Sequence, residues 1–127
     1  MREQTTGELS AVLEAIASVR CGASMNETQI HALIGQALAQ YGVAAEHEVR
    51  LAPRCRIDFL AGRIGIEIKK NRPEKAKLIA QLARYAACEQ IDDLVVVMSR
   101  GVDLPRMIQG KRVTAVALER LWGIWLP

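Results

Sequence analysis

Apolar positions near the start of the chain recur at helical spacing: Leu9, Val12, Leu13, Ile16 and Val19. They predict a helix over Gly7–Arg20, closed by Cys21-Gly22-Ala23 with Gly22 as the stop. Ser24 and Glu27 have the spacing of a capping box and predict a new helix start. Ile30, Leu33, Ile34, Ala37, Leu38 and Tyr41 give this second helix its apolar face, and Gly42 ends it. The period then changes. Glu46, Glu48 and Arg50 alternate with His47, Val49 and Leu51, which predicts a strand broken by Pro53. Arg54–Ala61 and Ile64–Lys70 predict two more strands, joined by Gly62-Arg63. Asn71 reads as the cap of a third helix with Pro73 in its first turn. Leu78, Ile79, Leu82 and Ala86 supply that helix with an apolar stripe. Leu94–Met98 is a continuous apolar run, the mark of a strand covered on both faces. A loop with Gly101 and Pro105 follows, then a last strand over Val113–Leu118 and an apolar close, Leu121–Leu126. This order predicts an α/β domain with a mixed sheet.

The register of the central hairpin follows from its turn. With Gly62-Arg63 as the loop, Ala61 faces Ile64, Phe59 faces Ile66 and Ile57 faces Ile68, which makes one apolar face. On the other face Leu60 opposes Gly65, Asp58 opposes Glu67 and Arg56 opposes Lys69. Directly opposed residues have Cβ atoms about 5 Å apart, so Asp58 and Glu67 would repel. A divalent cation between them reverses the sign, because hard cations take carboxylate oxygens. Lys69 lies about 6.6 Å further along the same face. The competing reading is a solvated polar face on a half-exposed hairpin.

Length and composition fit a single globular domain. The chain has 127 residues, 50% hydrophobic and 24% charged, which is not a disordered composition. No apolar run approaches the roughly 18 residues of a membrane span, and MREQTTGELS does not resemble a secretory leader. A cytoplasmic protein is the expectation. Cys21, Cys55 and Cys88 are odd in number and far apart, which argues for free thiols in a reducing compartment and against a zinc site. The net charge of +3 permits a polyanionic partner. Its distribution says more: Arg50, Arg54, Arg56, Arg63, Lys69, Lys70, Arg72, Lys75 and Lys77 crowd one central stretch, opposed there by Asp58, Glu67 and Glu74.

Arg56-Ile57-Asp58-Phe59, then Glu67-Ile68-Lys69 across a short hairpin, then Gln81-Leu82-Ala83-Arg84-Tyr85 on a helix, resembles the PD-(D/E)XK nuclease superfamily. The resemblance covers roughly residues 25–98; no proline precedes Asp58, a departure that the family tolerates. It implies a restriction-endonuclease-like αβββαβ core over 25–98, an N-terminal helical extension over 1–24, and a C-terminal strand and tail over 99–127. It implies Mg²⁺ or Mn²⁺ held by Asp58, Glu67 and the carbonyl of Ile68, with Lys69 and the helical acid Glu27 completing the catalytic set. Glu27 has the capping box with Ser24 as its other reading. Arg56, Lys70, Gln81 and Tyr85 would meet DNA or the site; plain solvation is the alternative for each. Glu48 is a weaker candidate, read first as a surface residue.

The implied activity is metal-dependent hydrolysis of DNA phosphodiesters, with double-stranded or branched DNA favoured because aromatic residues are too few for a stacking platform. Two rivals remain. One is a non-catalytic DNA-binding module on the same fold. The other is an interaction protein, in which the Leu9–Val19 helix and the Trp122–Leu126 tail either form a homodimer interface or pack into the core.

Overall fold

A computed structural model describes residues 2–22 and 24–118, so the apolar close Leu121–Leu126, with Trp122 and Trp125, lies outside the described residues. The elements run α1 (Arg2–Ser18), α2 (Glu27–Gln40), β1 (Glu46–Ala52), β2 (Cys55–Ala61), β3 (Ile64–Lys69), α3 (Lys75–Ala86), β4 (Asp93–Met98), β5 (Met107–Ile108) and β6 (Lys111–Ala117). The strands form one six-stranded mixed sheet in the order β1-β2-β3-β4-β6-β5. β1, β2 and β3 are antiparallel neighbours, β4 lies parallel to both β3 and β6, and β5 closes a hairpin on β6.

Burial explains the layers. Leu9, Val12 and Ile16 of α1, Val19 just past its end, and Ile30, Ile34 and Leu38 of α2 pack with Phe59, Ile64, Ile66, Ile68, Val95 and Val97 on one face of the sheet. Leu78, Leu82, Tyr85 and Ala86 of α3 pack with Ile57, Leu94, Val96 and Met98 on the other. Every residue of β4 is buried, as its unbroken apolar run predicts for a strand covered on both sides. The α1 face that could have been an interface is therefore core here.

Several boundaries move for local reasons. The cap of α2 is Asn26, not Ser24: Gln29 N–H donates to Asn26 Oδ1 and Asn26 N–H donates to Gln29 Oε1, each at 2.9 Å. Glu27 is thereby the first helical residue, free of the capping role. α3 starts at Lys75, with Glu74 at its cap and no side-chain capping bond, so Asn71 is not a cap. Pro73 disfavours helical backbone at Arg72, which holds 70–73 as a loop. A short hairpin appears where a plain loop was expected, turned by Gln109 and Gly110 at φ 51° and 75°. Positive φ at both turn residues is the geometry that suits a two-residue hairpin.

The central hairpin keeps its expected register at Ala61↔Ile64, Leu60↔Gly65 and Phe59↔Ile66, with Gly62 at φ 61°. There the paired positions stop, so Asp58 and Glu67 are not a regular cross-strand pair. Ile57 also leaves the face of Phe59 and packs on the α3 side. Gly65 makes room for it: a Cβ at Gly65 would run into Ile57 Cδ1 and stand 2.8 Å from Ile91 Cδ1. The strand thus rolls over at Asp58, between Ile57 and Phe59.

Among the described residues, no helix is long and apolar enough to cross a membrane. The three cysteines are free; Cys55 is buried, and burial pushes the thiols of Cys21 and Cys55 up.

Candidate active site

Two charged side chains are buried among the described residues, Glu67 and Asp93. Their surroundings differ. Asp93 opens β4 and is held by Arg112 opposite it on β6, with Nε 2.6 Å and Nη2 3.2 Å from its two oxygens. That fork satisfies it as a structural ion pair. Glu67 lies toward the other end of the sheet, near the C-terminal end of β3.

Glu67 Oε2 is 3.2 Å from Lys69 Nζ, two residues on and on the same strand face. Its Oε1 is 3.0 Å from the hydroxyl of Tyr85 on α3. That hydroxyl also stands 2.8 Å from the Arg56 carbonyl, and Gln81 Nε2 donates to it at 3.0 Å. A phenol has one proton, so Arg56 O and a charged Glu67 compete for it. A proton on Glu67 removes the competition, because the carboxyl then donates to the phenol oxygen. Burial pushes the Glu67 carboxyl up to about 7, the negative charge of Asp58 adds to this, and Lys69 and Tyr85 pull it partly back. Tyr85 is raised as well, by burial first and by Glu67 next.

Asp58 reaches this centre by a different route from the expected cross-strand pairing. Where the β2–β3 ladder has parted, the Ile68 N–H donates to Asp58 Oδ2 at 2.8 Å. The carboxylate thus takes over a backbone donor that regular pairing would have used, which explains why the strands separate here. Among the described residues, the polar contacts of Asp58 fall on Oδ2: this bond, and His31 Nε2 at 3.8 Å. Beside it on the edge strand, Glu48 has φ 55°, a left-handed conformation costly for a non-glycine residue. Its carboxylate lies 3.7 Å from the exposed Arg56 guanidinium.

Beyond Lys69 a cleft of about 390 Å³ opens, lined by Glu27, Lys69, Lys70, Asn71, Arg72 and Pro73. The shift of the α3 start supplies its wall: residues 70–73 are loop, not first helical turn. The N-terminus of α2 brings Glu27 to the opposite side. Lys69, Lys70 and Arg72 make the cleft basic, with Glu27 as its acid.

The structure therefore gathers Asp58, Glu67, Ile68 and Lys69 at one end of β3, with Glu27 and Lys70 at the adjoining cleft. Gln81 and Tyr85 join the site from α3. Tyr85 is only 2% exposed and meets Glu67, not solvent. Arg56 points outward, 59% exposed. Among the described residues no three His, Cys, Asp or Glu side chains converge into a ready-made metal cage. Two carboxylates and a backbone carbonyl remain a donor set suited to a hard cation that keeps several waters.

Sequence reasoning missed His31 and His47 as neighbours of the site, and counted Arg72 only within the central basic stretch. A signal for His31 was present: it follows Glu27 by four residues, and that spacing puts both on one helix face. His47 is opposite Phe59 in the β1–β2 register.

The chain matches no known family model, no curated protein and no solved structure.

Proposed function

We propose that this chain is a metal-dependent nuclease of the PD-(D/E)XK type, hydrolysing DNA phosphodiesters. The observation that carries the reading is Glu67: a buried carboxyl raised to about 7, with a second carboxylate as electrostatic neighbour and, at 3.2 Å, the ammonium group of Lys69, which itself lines a basic cleft. A purely structural ion pair gains nothing from the nearby Asp58. The order α2-β1-β2-β3-α3-β4 is that of the αβββαβ core, which supports a restriction-endonuclease-like fold.

In this reading Asp58, Glu67 and the Ile68 carbonyl hold Mg²⁺ or Mn²⁺. When bound, such an ion polarises a phosphoryl oxygen and makes water a better nucleophile. The residues of the chain do the rest. Lys69 sets positive charge where the phosphorane-like transition state gains negative charge. Tyr85 and Gln81 fix one oxygen of Glu67. Lys70 and Arg72 meet backbone phosphates across the cleft, and Arg56 extends the positive surface, so binding is largely independent of sequence. In this reading Glu27, which lines the cleft, helps order the attacking water. The pattern favours duplex or branched DNA.

Supercoiled plasmid and a synthetic four-way junction, incubated with Mg²⁺ or Mn²⁺, test the reading. Cleavage by the wild type that is abolished in Asp58→Ala and Glu67→Ala supports it. Cleavage that survives either change contradicts it. DNA binding without cleavage, equal with and without metal, would favour the non-catalytic module.

A further inference from the structure

Beside Asp58 lie two imidazoles that the proposed reaction does not use. His31 Nδ1 and His47 Nε2 are 3.1 Å apart, and the other nitrogen of His31, Nε2, faces Asp58 Oδ2 at 3.8 Å. We propose that His47 and His31 form a directed relay in which His31 is a positioning residue for Asp58. This rests on the nuclease reading for its catalytic consequence, but not for its chemistry.

The direction follows from donor counting. A neutral imidazole has one N–H and one bare nitrogen. If His31 Nδ1 carried the proton and donated to His47, its bare Nε2 lone pair would face a carboxylate oxygen. If instead His47 Nε2–H donates to His31 Nδ1, the proton of His31 sits on Nε2 and points at Asp58. Of the two arrangements open to neutral rings, only the second is attractive at both contacts. The separation of 3.8 Å exceeds a hydrogen bond, so the contact is electrostatic as it stands. Such bonds commonly tighten when a site is loaded.

The rings are seated, not dangling. Phe59 stacks on His47 at a centroid distance of 4.7 Å and an interplanar angle of 26°, and lies 6.0 Å from His31. Gly35, one turn beyond His31, also faces this phenyl ring, where a Cβ would stand in ordinary contact at 3.5 Å. The side chain of His31 is 16% exposed. Among the described residues, the Ile68 N–H bonds Oδ2 and His31 faces it, which leaves Oδ1 of Asp58 to face a ligand.

Two measurements test the relay. In metal-free protein, ¹⁵N NMR of the neutral imidazoles should show the Nε2–H tautomer for both His31 and His47; an Nδ1–H tautomer at His31 overturns the proposal. Next, Mn²⁺ binding is followed by electron paramagnetic resonance, with ¹H–¹⁵N spectra checking the fold. His31→Ala should weaken Mn²⁺ binding about 10- to 100-fold, the usual range for groups that orient a ligand. His31→Gln, which keeps a donor at the Nε2 position, should restore most of it. His47→Phe keeps the ring stack but removes the donor, and should give an intermediate loss. Cleavage should fall in kcat and not in KM for DNA. Folded His31→Ala that binds Mn²⁺ as the wild type does overturns the positioning role. A wild type that binds no Mn²⁺ overturns that role together with the nuclease reading, whereas Nε2–H tautomers in the same protein would still support the relay.

Discussion

The Tyr85 hydroxyl lies 3.0 Å from Glu67 Oε1, inside a core where the tyrosine is 2% exposed. A helix on one face of the sheet therefore fixes the carboxyl of a residue on β3. The same hydroxyl reaches the Arg56 carbonyl on β2 at 2.8 Å, so one phenol ties together the two strands that part at Asp58. Tyr85→Phe removes the tie without changing the ring. It takes the single phenol proton from Arg56 O and Glu67 and leaves Gln81 Nε2 without its acceptor, and should cost about 1–3 kcal/mol in urea unfolding. Cleavage should fall with it, because Glu67 is no longer held.

The pH dependence of stability should carry the signature of Glu67. Its folded carboxyl is raised from the ordinary 4.5 to about 7, so the folded state binds its proton more tightly than the unfolded state does. The stability associated with that proton is fully present below about pH 4.5 and is lost as pH rises through about 7, on the order of a few kcal/mol. Glu67→Gln stays neutral throughout. Urea titrations in EDTA from pH 4.5 to 8 should show a flatter profile for this variant, and greater stability than wild type at pH 8.

Gly65 should tolerate no side chain. A Cβ there would collide with Ile57 Cδ1, and lie 2.8 Å from Ile91 Cδ1 and 3.1 Å from Leu94 Cδ2. All three neighbours are fully buried, so they have little room to retreat. Gly65→Ala should lower stability by about 1–3 kcal/mol, read as a drop in Tm. It should also disturb Asp58, whose neighbour Ile57 depends on that space.

Lys70 and Arg72 should act on affinity and not on the chemical step. Each alanine variant should reduce the slope of log K against log salt for duplex DNA by about 0.9, the contribution of one phosphate contact. Fluorescence anisotropy over a salt series reads this directly. A slope unchanged in both variants would remove the cleft wall from the DNA path.

Much of this arrangement was legible in the chain. The Gly62-Arg63 turn set the Ala61↔Ile64 register, and the run Leu94–Met98 announced a fully covered strand. Period and turn chemistry are local, and local signals survive in a sequence. The register failed where a side chain intervened: Asp58 captures the Ile68 N–H, and alternation along β2 ends there. Strict alternation has no means of announcing such a capture. The helix caps were misplaced because Ser24 and Asn71 fit their patterns as well as the true caps do, and Pro73 decided the second case. Tyr85 was read as a polar site residue, yet Leu78, Leu82 and Tyr85 are spaced four and then three apart, the stripe of a buried helix face. The pairing of His31 with His47 joins α2 to β1 and has no local signature.

The central claim is that Asp58 and Glu67 share one divalent cation, and calorimetric titration with Mn²⁺ tests it most directly. Near pH 6 much of Glu67 carries a proton, which the incoming ion must displace. The wild type should bind one ion, with a heat that varies with the ionisation enthalpy of the buffer because a proton is released. Asp58→Asn should lose the binding, and Glu67→Gln should lose both the binding and the proton release. No Mn²⁺ binding by the wild type, or binding that Glu67→Gln leaves unchanged, would contradict the account.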